Sequence, residues 1–196
     1  MGGFPWIRWH QTFDIGYVPN DAVPKMFMAV ALDLRDDPNG FVWFFYSLFT
    51  VASSFSIHPR YKHDVGYRLS RAGLAIAYDK QIEFQGPIVQ NVSYATGSRS
   101  VNITYRAVSS IELRNPNGFE VCCQGSECSN DTLWVPAVAS SKSDLTVTLT
   151  VNDSCVGKQL YGLRYLWRET PCLFKQAAIY SGTDSNLPSP PYLTLF

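Results

Sequence analysis

The 196-residue chain sets 16 lysines and arginines against 16 aspartates and glutamates, so its formal net charge is zero, and only 16% of its residues are charged. It has neither the basic field that gathers nucleic acid nor the acidic excess of a solvating tail, and its partner is expected to be small or uncharged. The length suffices to bury a sizeable core in one large domain or a domain and a half.

Taken in order, residues 1–25 are aromatic and loop-like, interrupted by Pro5, Pro19 and Pro24, with Arg8, His10 and Gln11 as the notable polar side chains. Residues 26–34 form a continuous apolar run ended by charge, the pattern of a strand buried on both faces of a parallel sheet. Such a strand would deliver Asp33 to its carboxyl end, where open α/β sheets hold their ligands. From Phe41 the run Phe41-Val42-Trp43-Phe44-Phe45-Tyr46 and the residues up to Phe55 carry no charge and no turn chemistry. That run falls short of the ~20 apolar residues a membrane span needs, and reads as a sticky, β-prone segment.

Val65, Leu69, Ala72 and Ile76 then step by 4, 3 and 4, one stripe of an amphipathic helix. Pro59 suits the first helical position, because its missing N–H would be an orphan there anyway. His58 then stands just before the helix, where the positive end of the dipole keeps an imidazole neutral and able to accept a proton. Without further context, a histidine in this place more often caps or packs than catalyses.

Beyond residue 81 the helical period stops. Residues 88–94, 100–108, 120–123, 133–137, 145–151, 160–167 and 173–180 are short β-branched or aromatic runs separated by Gly, Pro, Asn and Ser. They predict an all-β, sandwich-like module with its boundary near Gly86-Pro87, ending in an extended segment around Pro188, Pro190 and Pro191.

Cys122, Cys123, Cys128, Cys155 and Cys172 all lie in the C-terminal half, and four Asn-x-Ser/Thr sequons occur from residue 91 onward, at Asn91, Asn102, Asn130 and Asn152. Both features suit an oxidising lumen. The odd cysteine count leaves at least one thiol unpaired within the chain, and adjacent Cys122 and Cys123 point to opposite faces of a strand, so they take different partners or one stays free. No Cys-x-x-Cys pair occurs, and zinc is not expected. The start Met1-Gly2-Gly3-Phe4-Pro5-Trp6 lacks the basic and apolar regions of a secretory signal, so the expectation is the C-terminal part of a longer lumenal protein.

The segment Ser56-Ile57-His58-Pro59-Arg60-Tyr61-Lys62, followed by Asp64-Val65-Gly66-Tyr67-Arg68-Leu69, resembles the catalytic-histidine segment of the sialate O-acetylesterases, Ser-His carbohydrate esterases with an SGNH-hydrolase-like catalytic domain. Ile7-Arg8-Trp9-His10-Gln11-Thr12, Gly16-Tyr17-Val18-Pro19-Asn20, Phe27-Met28-Ala29-Val30-Ala31-Leu32-Asp33-Leu34, Leu163-Arg164-Tyr165-Leu166-Trp167 and Pro171-Cys172 resemble the same family, in the same order. About fifteen residues, 41–55, have no counterpart in that pattern and read as an insertion. The resemblance implies an α/β fold for residues 1–85, the C-terminal part of an SGNH or flavodoxin-like domain, joined to the β-sandwich-like domain of residues 86–196.

It also implies His58 as the general base, Arg8 and Gln11 as substrate contacts, no cofactor, and an O-acetylated sialic acid or sialoglycan as substrate in a lysosomal or secreted compartment. Many SGNH-type hydrolases carry an Asp two or three positions before the histidine, where this chain has Ser56 and Phe55. The orienting group is then an upstream carboxylate, with Asp33, Asp36 and Asp37 the nearest candidates, or a backbone carbonyl. The chain has no Gly-x-Ser-x-Gly elbow and no Gly-Asp-Ser block, so the nucleophile is expected from the upstream half of the same enzyme, and the chain alone is expected to be inactive. A non-catalytic secreted β-module and a non-functional translation product are the competing readings.

Overall fold

The computed structural model describes residues 3–11, 16–36, 59–95, 97–124 and 127–196. The predicted insertion, His58 and Asp37 lie outside them. Among the described residues, two helices, α1 (Gly3–His10) and α2 (Lys62–Ala77), precede nine strands: β1 (Ile88–Tyr94), β2 (Ser100–Arg106), β3 (Ile111–Leu113), β4 (Phe119–Cys122), β5 (Trp134–Lys142), β6 (Thr146–Thr150), β7 (Gly162–Tyr165), β8 (Ile179–Ser181) and β9 (Tyr192–Leu195). Among the described residues, neither helix is long and apolar enough to cross a membrane.

Seven strands form one antiparallel sheet in the order β1-β2-β6-β5-β4-β7-β9, and β3 pairs with β8 separately. β5 makes the curl: Trp134–Ala137 pair with β4 while Val138–Lys142 pair with β6, with a register shift between Ala139 and Ser141. A bulge bends a strand and raises its local twist, so one strand serves two parts of the sheet. The two edges approach each other where the rings of Tyr94 and Phe196 lie 4.9 Å apart, Tyr94 donates to the carbonyl of Leu160 and Phe196 N–H to that of Tyr161. The module is therefore a nearly closed sheet rather than the two-layer sandwich expected.

Alternation explains which face is inside. In β2, Val101, Ile103 and Tyr105 point into the core and Asn102 and Arg106 to solvent, and Val147 and Leu149 of β6 continue the inner face. β4 and β7 are buried on both faces, because Cys122, Cys128 and Trp134 form a second apolar cluster beside the main core. Cys122 pairs with Cys128 and Cys123 with Cys155, so the adjacent cysteines do take different partners, and Cys172 is the free thiol.

The first 85 residues depart further from expectation. Residues 26–34 join no sheet: the segment runs without regular structure until Leu32, Asp33 and Leu34 are buried. A buried parallel strand needs neighbours on both sides, and the described residues before β1 supply none. The α/β layer is thus not formed among the described residues. Residues 3–10, expected as loop, are helical instead, with Pro5 in the first turn, where a missing N–H costs nothing. Pro59 is not the first helical residue: α2 begins at Lys62, behind Tyr61. Of residues 173–180 only the end is strand, in β8.

This N-terminal part is seated on the β-module. A Cβ at Gly86 would stand 2.0 Å from the carbonyl oxygen of Pro188, so only glycine fits where the chain enters β1. Just before it, the Glu83 carboxylate accepts from Ser109 N–H and Oγ at 2.9 Å, from Ser181 Oγ at 2.5 Å and from Thr183 Oγ1. Burial pushes its pKa up, and those hydrogen bonds outweigh burial and hold it below the ordinary value.

Candidate functional site

Asp33 and Arg68 lie at the centre of the junction. Arg68, on the inner face of α2, donates to Asp33 Oδ1 at 2.6 Å and Oδ2 at 2.8 Å, and to the carbonyls of Val30 and Asn186. Tyr180 of β8 adds its hydroxyl to Asp33 Oδ2 at 2.8 Å, and Lys175 N–H donates to the Asp33 carbonyl at 2.7 Å. Both oxygens of Asp33 are thus occupied inside a site closed to solvent. The group ties three parts of the chain together.

Asp36, three residues on, is buried at the surface of a cleft. It accepts from Arg60 N–H at 2.8 Å and from the Arg60 guanidinium at 2.7 and 2.9 Å. These side-chain and backbone hydrogen bonds lower its pKa to about 2. The clamp fixes the chain two residues after His58.

The cleft holds roughly 200 Å³, and Phe4, Arg8, Arg35, Asp36, Pro59 and the 169–171 segment contribute to its walls. α1 presents Arg8 there, whose two terminal nitrogens donate to the carbonyls of Arg168 and Glu169 at 2.7 and 2.8 Å. Burial lowers the Arg8 pKa, although the neighbouring Cys172 and Glu169 act the other way. The helix is anchored beside it by Trp9 and Trp6, which both meet the Trp167 ring edge-on.

Of the residues expected at a site, Arg8 and Asp36 therefore share one cleft, which Pro59 also lines directly after His58 in the chain. Asp33 stands behind it in the ion pair. Gln11 is exposed just past α1 and lines no part of the cleft, and His10 is exposed with its ring against Trp6. Arg35 and the 169–171 wall carried no local signal beyond the family-like Pro171-Cys172. Among the described residues, no group of three or more His, Cys, Asp or Glu side chains is placed to hold a metal ion.

Residues 90–196 match the family described as the sialate O-acetylesterase C-terminal domain, more than half of the chain. The chain belongs to the sialate O-acetylesterase family. Sialate O-acetylesterases of Mus musculus and Homo sapiens are each 39% identical to it over 195 residues, and that of Pongo abelii is 40% identical over the same length. These alignments cover 97% of this chain but 32 to 33% of each relative, so the chain spans about a third of the length of these sialate O-acetylesterases. A crystal structure of a carbohydrate acetylesterase from Xanthomonas citri matches 88% of the chain and 33% of its own at a TM-score of 0.63 and 23% identity, a likeness of fold.

Proposed function

We propose that this chain supplies the histidine base and one wall of the substrate cleft to a sialate O-acetylesterase, which hydrolyses O-acetyl esters on sialic acids. The reading is carried by one observation: Arg8, Asp36 and Pro59, from three separate segments, converge on one cleft, and His58 directly precedes Pro59.

In the proposed reaction a serine outside these 196 residues attacks the acetyl carbonyl while His58 takes its hydroxyl proton. His58 gives that proton to the sugar oxygen as its bond to the acetyl carbon breaks, freeing the sugar hydroxyl and leaving an acetyl-serine. Water, deprotonated by the same imidazole, then releases acetate and restores the serine. Arg8, its guanidinium anchored on the 168–169 carbonyls, faces the cleft as a substrate contact, with Gln11 beyond its edge as a weaker one. Asp36 acts through Arg60, holding the His58 segment, while Asp33 holds α2; Asp37 is then the candidate among the three to orient the imidazole. The chain on its own, without the serine, does not hydrolyse esters.

We further place the protein in the secretory pathway or lysosome. Two disulfides support this, as do four sequon asparagines, Asn91, Asn102, Asn130 and Asn152, that are all exposed. The test is acetate release from O-acetylated sialic acid by the full family-length enzyme carrying these residues, with and without His58→Ala. Intact-mass measurement of material from a eukaryotic secretory host, before and after deglycosylation, checks the compartment. Unglycosylated secreted protein would contradict it.

A further inference from the structure

A second cleft, of about 250 Å³, opens on the outer face of the sheet and shares Pro171 with the first. Its floor follows from the strand register: Glu120 of β4 lies opposite Pro136 of β5 on one side and Arg164 of β7 on the other. One wall is the turn at Asn117 and Gly118 and another is Leu166 to Arg168. The walls are fixed before any ligand arrives. Gly118 has φ +107°, a Cβ there would lie 2.8 Å from Leu166 Cδ2, and Leu166 N–H bonds the Gly118 carbonyl at 2.8 Å.

The charges at this cleft cancel. Glu120 accepts from Arg164 Nε at 2.8 Å and from Arg168 Nη2, while Arg164 also donates to Asp131 at 2.6 Å, so two guanidinium groups meet two carboxylates. The Glu120 side chain is 12% exposed and that of Arg168 53%, which leaves an acceptor and a set of donors at the rim of an apolar hollow made by Pro136, Leu166 and Pro171. An anion would find the two guanidinium charges already balanced, and a wholly apolar ligand would cover the lone pairs of Glu120 and the N–H groups of Arg168 that their ion pair leaves over. A neutral pyranose meets both demands, with hydroxyls for the Arg168–Glu120 edge and a C–H face for the wall.

We propose that this cleft is a binding site for a neutral hexose. Because the two clefts adjoin at Pro171, that hexose is the sugar to which the acetylated sialic acid is attached; this last step rests on the function proposed above, whereas hexose binding itself does not.

The experiment is a titration of this chain, followed by amide and indole NMR, with lactose, N-acetylneuraminic acid and sialyllactose in turn. Lactose is expected to move the amides of Gly118 and Arg168 and the indole N–H of Trp167, with a Kd on the order of millimolar. Arg168→Ala is expected to weaken it about tenfold, the scale of a lost charged hydrogen bond. Pro136→Trp, at an exposed position, is expected to fill the hollow and abolish it, with circular dichroism checking the fold of both variants. Lactose shifts that are absent up to tens of millimolar, or that survive both substitutions, overturn the site. Lactose binding retained with no gain for sialyllactose supports the site and counts against the reading of the neighbouring cleft alone.

Discussion

Arg68 donates to both carboxylate oxygens of Asp33, at 2.6 and 2.8 Å, with side chains 2% and 0% exposed. A buried pair this well satisfied makes little net contribution against an apolar replacement, but losing one partner strands the other charge in a dry site. Arg68→Ala is therefore expected to destabilise the chain by about 3–5 kcal/mol. For a chain of this size that is a fall in Tm on the order of 10 °C by calorimetry. Tyr180→Phe, which removes one neutral donor to Asp33, should cost only about 1–2 kcal/mol. Equal melting of Arg68→Ala and the unaltered chain would mean that the junction is not held by this pair.

The clamp on Arg60 gives Asp36 a separate signature. Its pKa is depressed to about 2 from 3.8, so its contribution to stability is complete above pH 4 and is lost as pH falls through 2. The Asp36 carboxyl carbon should titrate near 2 in the folded chain, and Arg60→Ala should return it towards 3.8. A midpoint already near 3.8 would mean that the Arg60 clamp is absent in solution.

Cysteine chemistry separates the two disulfides from the thiol. Burial pushes the Cys172 pKa up to about 12, so under non-reducing conditions at pH 8 it should be the single alkylated cysteine, and slow to react until the chain unfolds. Loss of the Cys123–Cys155 bridge, which spans 32 residues, should cost about 3–4 kcal/mol, against about 2 kcal/mol for Cys122–Cys128, which spans 6. Peptide mapping that found Cys122 joined to Cys155 would refute the pairing.

Gly118→Ala combines a left-handed backbone with a 2.8 Å contact to Leu166. It should cost at least about 1–3 kcal/mol in denaturant unfolding. An alanine tolerated without loss would mean that the turn can shift, and that the wall of the second cleft is not preformed.

Much of the β-module was legible because its signals are local. The residues predicted for β1 are those observed, and the run at 145–151 contains β6, whose alternation turns Val147 and Leu149 inward. β3 and β9 were not, since a three-residue strand and Tyr-Leu-Thr-Leu behind a proline run acquire their identity only from β8 and β7, far along the chain. The strand expected at 26–34 failed for the converse reason: an apolar run becomes a buried strand only where neighbours exist. The cleft was half legible. Arg8 stood in a family-like segment and Asp36 was named only as a nearby carboxylate, while Arg68 gave no sign of its part, because its partner is 35 residues away. That Asp33 and Asp36 hold arginines follows from packing between distant segments, for which the sequence carries no local signal.

The most direct test of the proposed function is the rate of acetate release from O-acetylated sialic acid, measured for three proteins side by side. These are the family-length enzyme carrying these residues without segment 41–55, its His58→Ala form, and the 196-residue chain by itself. The account predicts turnover by the first, a loss on the order of 10³-fold or more in the second, and none from the third. Hydrolysis by the chain alone that disappears with His58→Ala would contradict it, and would require a nucleophile among the chain's own serines.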